Sequence, residues 1–528
     1  MDRSSLPPID GTSTAVAPAL DLALQPGERW WGGAIEDGRL MPFGARDHTR
    51  DLSSPTSAPD AADPGLPSNQ SAPVLVSTRG RAVASDAPFA FSFSDGRLVV
   101  AGSSVEVLHA GTTLREGFLA ASARFFPPSG ATPARALFTA PQYNTWIEQP
   151  YRPTQESVLD YARGILDAGM APGALIIDDS WAPDYGTWRF DTSRFPDPGA
   201  MIGRLHEWGF SVMLWLVPFV SPDSAAFRDL ERGGLLIRDS AGHTAIRRWW
   251  NGLSALLDLS NPAATDWLTA QLDGLVTGFG VDGFKFDGGD VRDFRDDDLT
   301  HGSLTPTELC EAWARIGLRY PFNEYRACWR MGGQPLAQRL QDKPPHWDDR
   351  GIRSLIPEML AQGMIGHPYI CPDMIGGGEI VAMTSAEGID QEFFVRYAQI
   401  AAVSPMAQFS VAPARVLDAE HLRAVDEAFR LRAELLPTLL ALVDEAASTG
   451  EPILRPMAYH APELEDTTDQ FFLGPDLFVA PVLERSATHR TVAVPAGRWR
   501  SETGEIVTGP ARIDVPCTLT TIPRFTRL

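Results

Sequence analysis

Strand–helix alternation over roughly 290 residues, bracketed by short alternating apolar runs at both ends, predicts an α/β protein: a (β/α)8 TIM barrel flanked by N-terminal and C-terminal β-sandwich domains. A third observation agrees with it. Several of the expected strands end in acidic residues, as strands of a parallel barrel do on the face where functional groups collect. The expected units are residues 1–135, 136–445 and 446–528.

The N-terminal unit rests on PVLVSTRG, PFAFSFSDGRLVVAG and SVEVLHAG, with Asp95-Gly96 between alternating runs as a hairpin signal. It is interrupted at 50–73 by RDLSSPTSAPDAADPGLPSNQSAP, a biased segment expected to be a long loop or disordered linker. In the barrel, Val158, Tyr161, Ala162, Ile165 and Leu166 share one helix face ahead of the strand ALIIDD, Ala174–Asp179. The helix AMIGRLHEWG precedes the buried strand Ser211–Phe219. Asn261-Pro262 reads as an N-cap and first helical residue, opening a helix with Trp267, Leu268, Leu272 and Leu275 on one face. That helix leads into DGFKFD, Asp282–Asp287, followed by LAQRLQDK, a helix through Leu355–Gln362, and HPYICPD, His367–Asp373. A helix-rich stretch, Ala419–Glu445, closes the barrel, and short strands return after Pro452. An open doubly wound sheet fits less well, since no Gly-rich phosphate turn follows the first strands.

Composition narrows the function. The 528 residues are 44% apolar and 21% charged, values of an ordinary globular protein. The formal charge of −22 disfavours polyanion partners, so neither nucleic acid nor an anionic membrane is expected. The longest apolar stretch, Gly209–Val220, is about a dozen residues, too short to span a bilayer. The N-terminus has no basic region followed by an apolar one, and Cys310, Cys328, Cys371 and Cys517 form no CxxC pair. A reduced, cytoplasmic protein is expected. The ten histidines have no HxH or HExxH spacing, so no metal is expected, and neither a GxSxG elbow nor a P-loop is present.

Asp178, Asp179, Asp287 and Asp373 each end an expected barrel strand. Any one of them could simply cap the next helix. Three strands ending alike, with Trp181, Trp215, Trp250 and Trp347 nearby in sequence, point instead to a sugar cleft: carboxylates for hydroxyls, indole faces for the C–H patches of the ring. Lys285 and Asp287, two apart on one strand, project to the same side. A lysine there keeps the carboxylate ionised, which suits a nucleophile, although a structural ion pair is the alternative. Asp348 and Asp349 in HWDDR offer the second carboxylate of a glycosidase pair. Asp296–Asp298 reads as a solvated loop, and Gly376–Gly378 as a tight turn under the site.

GFKFDGGD (Gly283–Asp290), RWWNG (Arg248–Gly252), LDLSNP (Leu257–Pro262), GIRSLIPEML and PYICPDMIGGG resemble glycoside hydrolase family 31. Within it they are similar to the branch of the myogenesis-regulating glycosidase and bacterial α-galactosidases. The resemblance implies a retaining, exo-acting α-glycosidase that needs no cofactor and acts on a small oligosaccharide or glycoside; it leaves homo-oligomer formation open. It implies Asp287 as nucleophile and Asp349 as acid/base, with Asp348 the alternative. It further implies sugar contacts from Asp179 with Asp178 beside it, Trp250, either Arg326 or Arg339, and Asp373. Two departures favour the galactosidase-like branch over the α-glucosidases, with an α-glucosidase or α-xylosidase as the alternative within the family. Ser404–Pro413 lacks the histidine usual in the family's α-glucosidases, and KFDGGD replaces their DMNE. A catalytically silent sugar-binding barrel is the alternative from another class.

Overall fold

The computed structural model describes residues 20–53, 69–379 and 388–528. Most of the expected linker at 50–73, namely 54–68, lies outside the described residues.

Eight parallel strands form the barrel: β1 (Gln142–Asn144), β2 (Ala174–Ile177), β3 (Ser211–Leu216), β4 (Gly283–Phe286), β5 (Phe322–Tyr325), β6 (Gln338–Arg339), β7 (Ile370–Cys371) and β8 (Gln408–Phe409). They pair in the order 7-6-5-4-3-2-1-8. The seam between β7 and β8 is bridged by Met406 N to Ile370 O at 3.0 Å and Ile375 N to Gln408 O at 2.8 Å. β2 and most of β3 are apolar because helices cover them outside and side chains fill the barrel inside; β2 and β4 are buried throughout.

The helices form where the periodicity places them. Thr154 caps Gln155–Asp167, which buries Val158, Tyr161, Ala162 and Ile165. Asn261 caps Pro262–Phe279, with Leu268, Leu272 and Leu275 inward. One crossover departs from the repeat. Between β5 and β6 there is no helix; Cys328–Trp329 instead pairs in parallel with Gln70–Ser71 of the N-terminal unit. Arg330 and Met331, both with positive φ, and the following Gly332-Gly333 exclude a helix there.

The N-terminal strands make two sheets, one of four strands and one built around Gln70–Ser77. Asp95 and Gly96 both have positive φ and join Phe89–Ser94 to Arg97–Gly102, the two-residue hairpin their sequence signals. The C-terminal strands pair into one continuous six-stranded antiparallel sheet. Phe471, Leu473 and Val479 join the core shared with the barrel, while Phe472, Phe478, Trp499 and Phe525 form a smaller core on the opposite face. The four cysteines are unpaired thiols. No helix among the described residues is long and apolar enough to cross a membrane.

The N-terminal unit meets the barrel through the 3-10 turn Ile35–Leu40, which packs on the helix Ile352–Met364. There Glu36 sits close to Glu358, whose carboxylate takes the Lys343 ammonium. Burial first, then repulsion by Glu358, pushes the Glu36 carboxyl up to about 7 from its ordinary 4.5. A carboxyl raised on folding stabilises the folded chain below its ordinary pKa, and that contribution is lost as pH rises from about 4.5 through 7. Glu36→Gln should therefore match the wild type near pH 4.5 and exceed it above pH 7, by about 2 °C or more in Tm. Thermal unfolding across pH checks this; parallel curves would contradict it.

Candidate active site

The C-terminal ends of β2, β3, β4, β5 and β6 surround a cleft of about 410 Å³ lined by Trp146, Tyr151, Asp178, Asp179, Trp215, Trp250, Lys285, Asp287, Arg326, Gln341, Asp342 and Glu379.

Asp287 follows β4 directly. Its Oδ1 accepts from Arg326 Nε at 2.7 Å and from the Gly288 amide at 2.9 Å, and its Oδ2 accepts from Trp215 Nε1 at 2.9 Å. Burial alone would raise its pKa. The charges of Arg326, Lys285 and Arg339 and the indole hydrogen bond outweigh burial and hold the carboxyl well below the usual carboxylate range. It stays ionised. Two glycines let the chain turn there: a Cβ on Gly288 would lie 3.0 Å from the Phe219 ring, and one on Gly289 2.6 Å from Trp313. Both have positive φ.

Lys285 reaches past Asp287 to a different partner than its spacing suggests. Its Nζ donates to Asp178 Oδ2 at 2.7 Å, with both side chains buried, while its charge still favours ionised Asp287. Asp178 Oδ1 also accepts from the Asp179 amide at 2.9 Å. Asp179 accepts from Tyr185 Oη at 3.2 Å and from Asn251 Nδ2 at 2.6 Å. Burial and the adjacent Asp178 charge push it up to about 7, with Tyr185 and Asn251 pulling it back. At the mouth the Arg326 guanidinium lies 5.1 Å from the Trp250 ring centroid, and Trp250 is 45% exposed.

The charged floor, aromatic walls and strand-end carboxylates make this a barrel cleft shaped for a polar ring with apolar faces. Residues 135–442 match the family model described as the glycosyl hydrolases family 31 TIM-barrel domain, and residues 450–528 the family's C-terminal domain. The chain belongs to glycosyl hydrolase family 31. It is 36% identical over 420 residues to the myogenesis-regulating glycosidase of Mus musculus, covering 76% of this chain and 58% of that one. It is 28% identical over 391 residues to the 1,3-alpha-isomaltosidase of Kribbella flavida, covering 66% and 51%. The chain thus spans just over half the length of these curated relatives. Its fold is similar to that of the Flavobacterium johnsoniae family 31 dextranase complexed with glucose: TM-score 0.83, 19% identity, 96% of this chain and 66% of that one.

Against this family 31 barrel, the expected residues divide. Asp178, Asp179, Trp215, Trp250, Lys285, Asp287 and Arg326 meet in the cleft. Arg339, Trp347, Asp348, Asp349 and Asp373 do not line it. Arg339, 1% exposed, lies beneath, donating to Asp342 at 2.8 Å and to Asp373, with Glu324 at 3.3 Å. Asp373 is fully buried and accepts from the amides of Lys343 at 2.8 Å and Gly378 at 3.0 Å, so it shapes the turn under the cleft. Trp347 turns inward, edge-on to Phe393 at 5.4 Å, its indole donating to Asp390 at 2.9 Å. That inward turn sends the following residues outward. Asp348 binds Arg350 at 3.1 Å in solvent, and Asp349 lines a separate crevice with Arg353, Asp469 and His489. Neither lines the cleft with Asp287, which corrects the expectation for the second carboxylate. Besides Asp178, Asp179 and Asp287, the carboxylates that line it are Asp342, three residues beyond β6, and Glu379. Tyr151 and Asn251 carry no strand-end or acidic signal in the sequence; Tyr151 lines the cleft, and Asn251 bonds one of its walls. Among the described residues, no three His, Cys, Asp or Glu side chains are grouped to hold a metal ion.

Proposed function

We propose that this chain is a retaining, exo-acting α-glycosidase that removes terminal α-linked sugars from small oligosaccharides or glycosides. The observation that carries it is the ionised Asp287, held by Arg326 and Trp215, in the same cleft as Asp342. Asp287 attacks the anomeric carbon as the glycosidic C–O bond breaks, and Asp342 gives its proton to the departing oxygen. A covalent glycosyl–Asp287 ester results. Asp342 then takes a proton from water, whose oxygen attacks the same carbon and releases Asp287. Positive charge developing on the ring is balanced by Asp287 and Asp178. No step requires a metal or organic cofactor.

Within that reaction we assign α-galactosides as the preferred substrates. Where a histidine would be expected in an α-glucosidase of the family, Gln408 is spent inside the barrel on Gln142 and Glu324, and Ser410 accepts from the Ile147 amide. Both side chains are fully buried, so neither presents a donor to the ring as that histidine would. Asp178, Asp179 and Lys285 then read the O4 and O6 end of the ring. α-Glucosides or α-xylosides are the second reading, favoured by the isomaltosidase name of one relative. Initial rates on p-nitrophenyl α-glycosides decide. The α-galactoside should exceed the α-glucoside in kcat/KM by about tenfold or more, because a mismatched epimer leaves buried polar groups unpaired. Equal or better turnover of the α-glucoside would support the second reading, and turnover of none would support a silent sugar-binding barrel.

A further inference from the structure

The strands Ile246–Trp249 and Gly252–Leu256 pair with Trp249 opposite Gly252, leaving Trp250-Asn251 as a two-residue tip. The hairpin is anchored from below: Trp249 stacks on Phe219 at 4.3 Å and donates its indole N–H to Ser254 at 3.0 Å. Its tip spans the cleft. Trp250 covers Arg326, the guanidinium that holds Asp287, while Asn251 reaches the opposite wall after β2.

Every polar atom of the Asn251 amide is committed there. Oδ1 accepts from Tyr151 Oη at 2.9 Å, and Nδ2 donates to Asp179 Oδ2 at 2.6 Å and to Tyr185 Oη at 2.9 Å. Tyr185 Oη in turn lies 3.2 Å from both Asp179 oxygens. The Asp179 carboxylate, which only accepts, fixes which end of the amide faces it, and Tyr151 donates to the other end. Asp178 and Asp179 are consecutive carboxylates in one wall, and Lys285 serves only Asp178. Asp179 has no cation of its own among these contacts; neutral donors hold it.

We propose that Asn251 is a positioning residue for sugar recognition: it fixes the Asp179 carboxylate so that its remaining lone pairs face the hydroxyls of the bound ring. The inference rests on the reading of the cleft as a monosaccharide site. Without the amide, Asp179 is free to rotate away from its neighbour Asp178, and ground-state and transition-state contacts weaken alike. Such a loss falls on KM and leaves kcat.

The test compares Asn251→Ala, the similarly sized Asn251→Leu, which cannot donate and adds no charge beside Asp179, and Tyr151→Phe, which removes only the exposed bond to the amide oxygen. Calorimetry with galacto- and gluco-configured 1-deoxynojirimycin is run beside steady-state kinetics. Both Asn251 variants should bind the preferred iminosugar about 10- to 100-fold more weakly and raise KM in step, with kcat within about threefold. Tyr151→Phe should shift both the same way by a smaller factor. Wild-type affinity in Asn251→Leu, or a loss confined to kcat, overturns the proposal. A wild-type chain that binds the iminosugar without hydrolysing glycosides removes the glycosidase reading, while the affinities still judge Asn251. A wild-type chain that binds neither iminosugar overturns both.

Discussion

Asp287→Asn should abolish turnover, lowering kcat by about 10⁴-fold or more, while the folded structure and its Tm persist. The asparagine keeps the shape of the carboxylate. Arg326 retains Asp290 at 3.4 Å, so the guanidinium is not left unpaired. The smaller Asp287→Ala leaves room for an external nucleophile. With an activated aryl α-glycoside, azide should restore turnover in that variant and give the β-glycosyl azide, because the anion then inverts the centre once. Retained activity in Asp287→Asn would remove the nucleophile from the account.

Asp342→Asn should be nearly as severe, but only where protonation of the leaving group matters. For a methyl or sugar leaving group we expect a loss on the order of 10²- to 10⁴-fold, and for p-nitrophenol a much smaller one in the first step. Azide should rescue this variant as the α-glycosyl azide, since the intermediate on Asp287 still forms. Arg339 keeps Asp373 and Glu324 when Asp342 is neutralised, so the floor of the cleft stays paired. Asp349→Asn, exposed in the other crevice, should stay within about twofold of the wild type. A dead Asp349→Asn beside an active Asp342→Asn would reverse the assignment, and a dead Glu379→Gln alone would move it to Glu379.

The contrast between Asp287 and Asp342 shows what the sequence made legible. β2 is a four-residue apolar run and β4 is apolar but for Lys285, each closed by acids, and both strands and acids are plain in ALIIDD and GFKFD. β6 is two residues, Gln338–Arg339, polar because its side chains fill a charged barrel interior. It carries no apolar pattern, so Asp342 did not register as a strand-end acid. HWDDR places a tryptophan before two acids, the arrangement of a catalytic loop. Only packing on Phe393 reveals that this tryptophan faces the core and turns them away. RWWNG was visible as a motif, whereas the reach of Asn251 to Asp179, 72 positions away, is a property of the folded hairpin. The missing helix between β5 and β6 was signalled only by Gly332-Gly333, since the left-handed Arg330 and Met331 look ordinary in sequence.

The claim on which the rest depends is double displacement through Asp287, and the anomer released first tests it most directly. Proton NMR during hydrolysis of an α-glycoside, recorded faster than mutarotation, should show the α-sugar accumulating first, with the β-anomer following only by mutarotation. The β-anomer appearing first would mean direct attack by water and would contradict the mechanism.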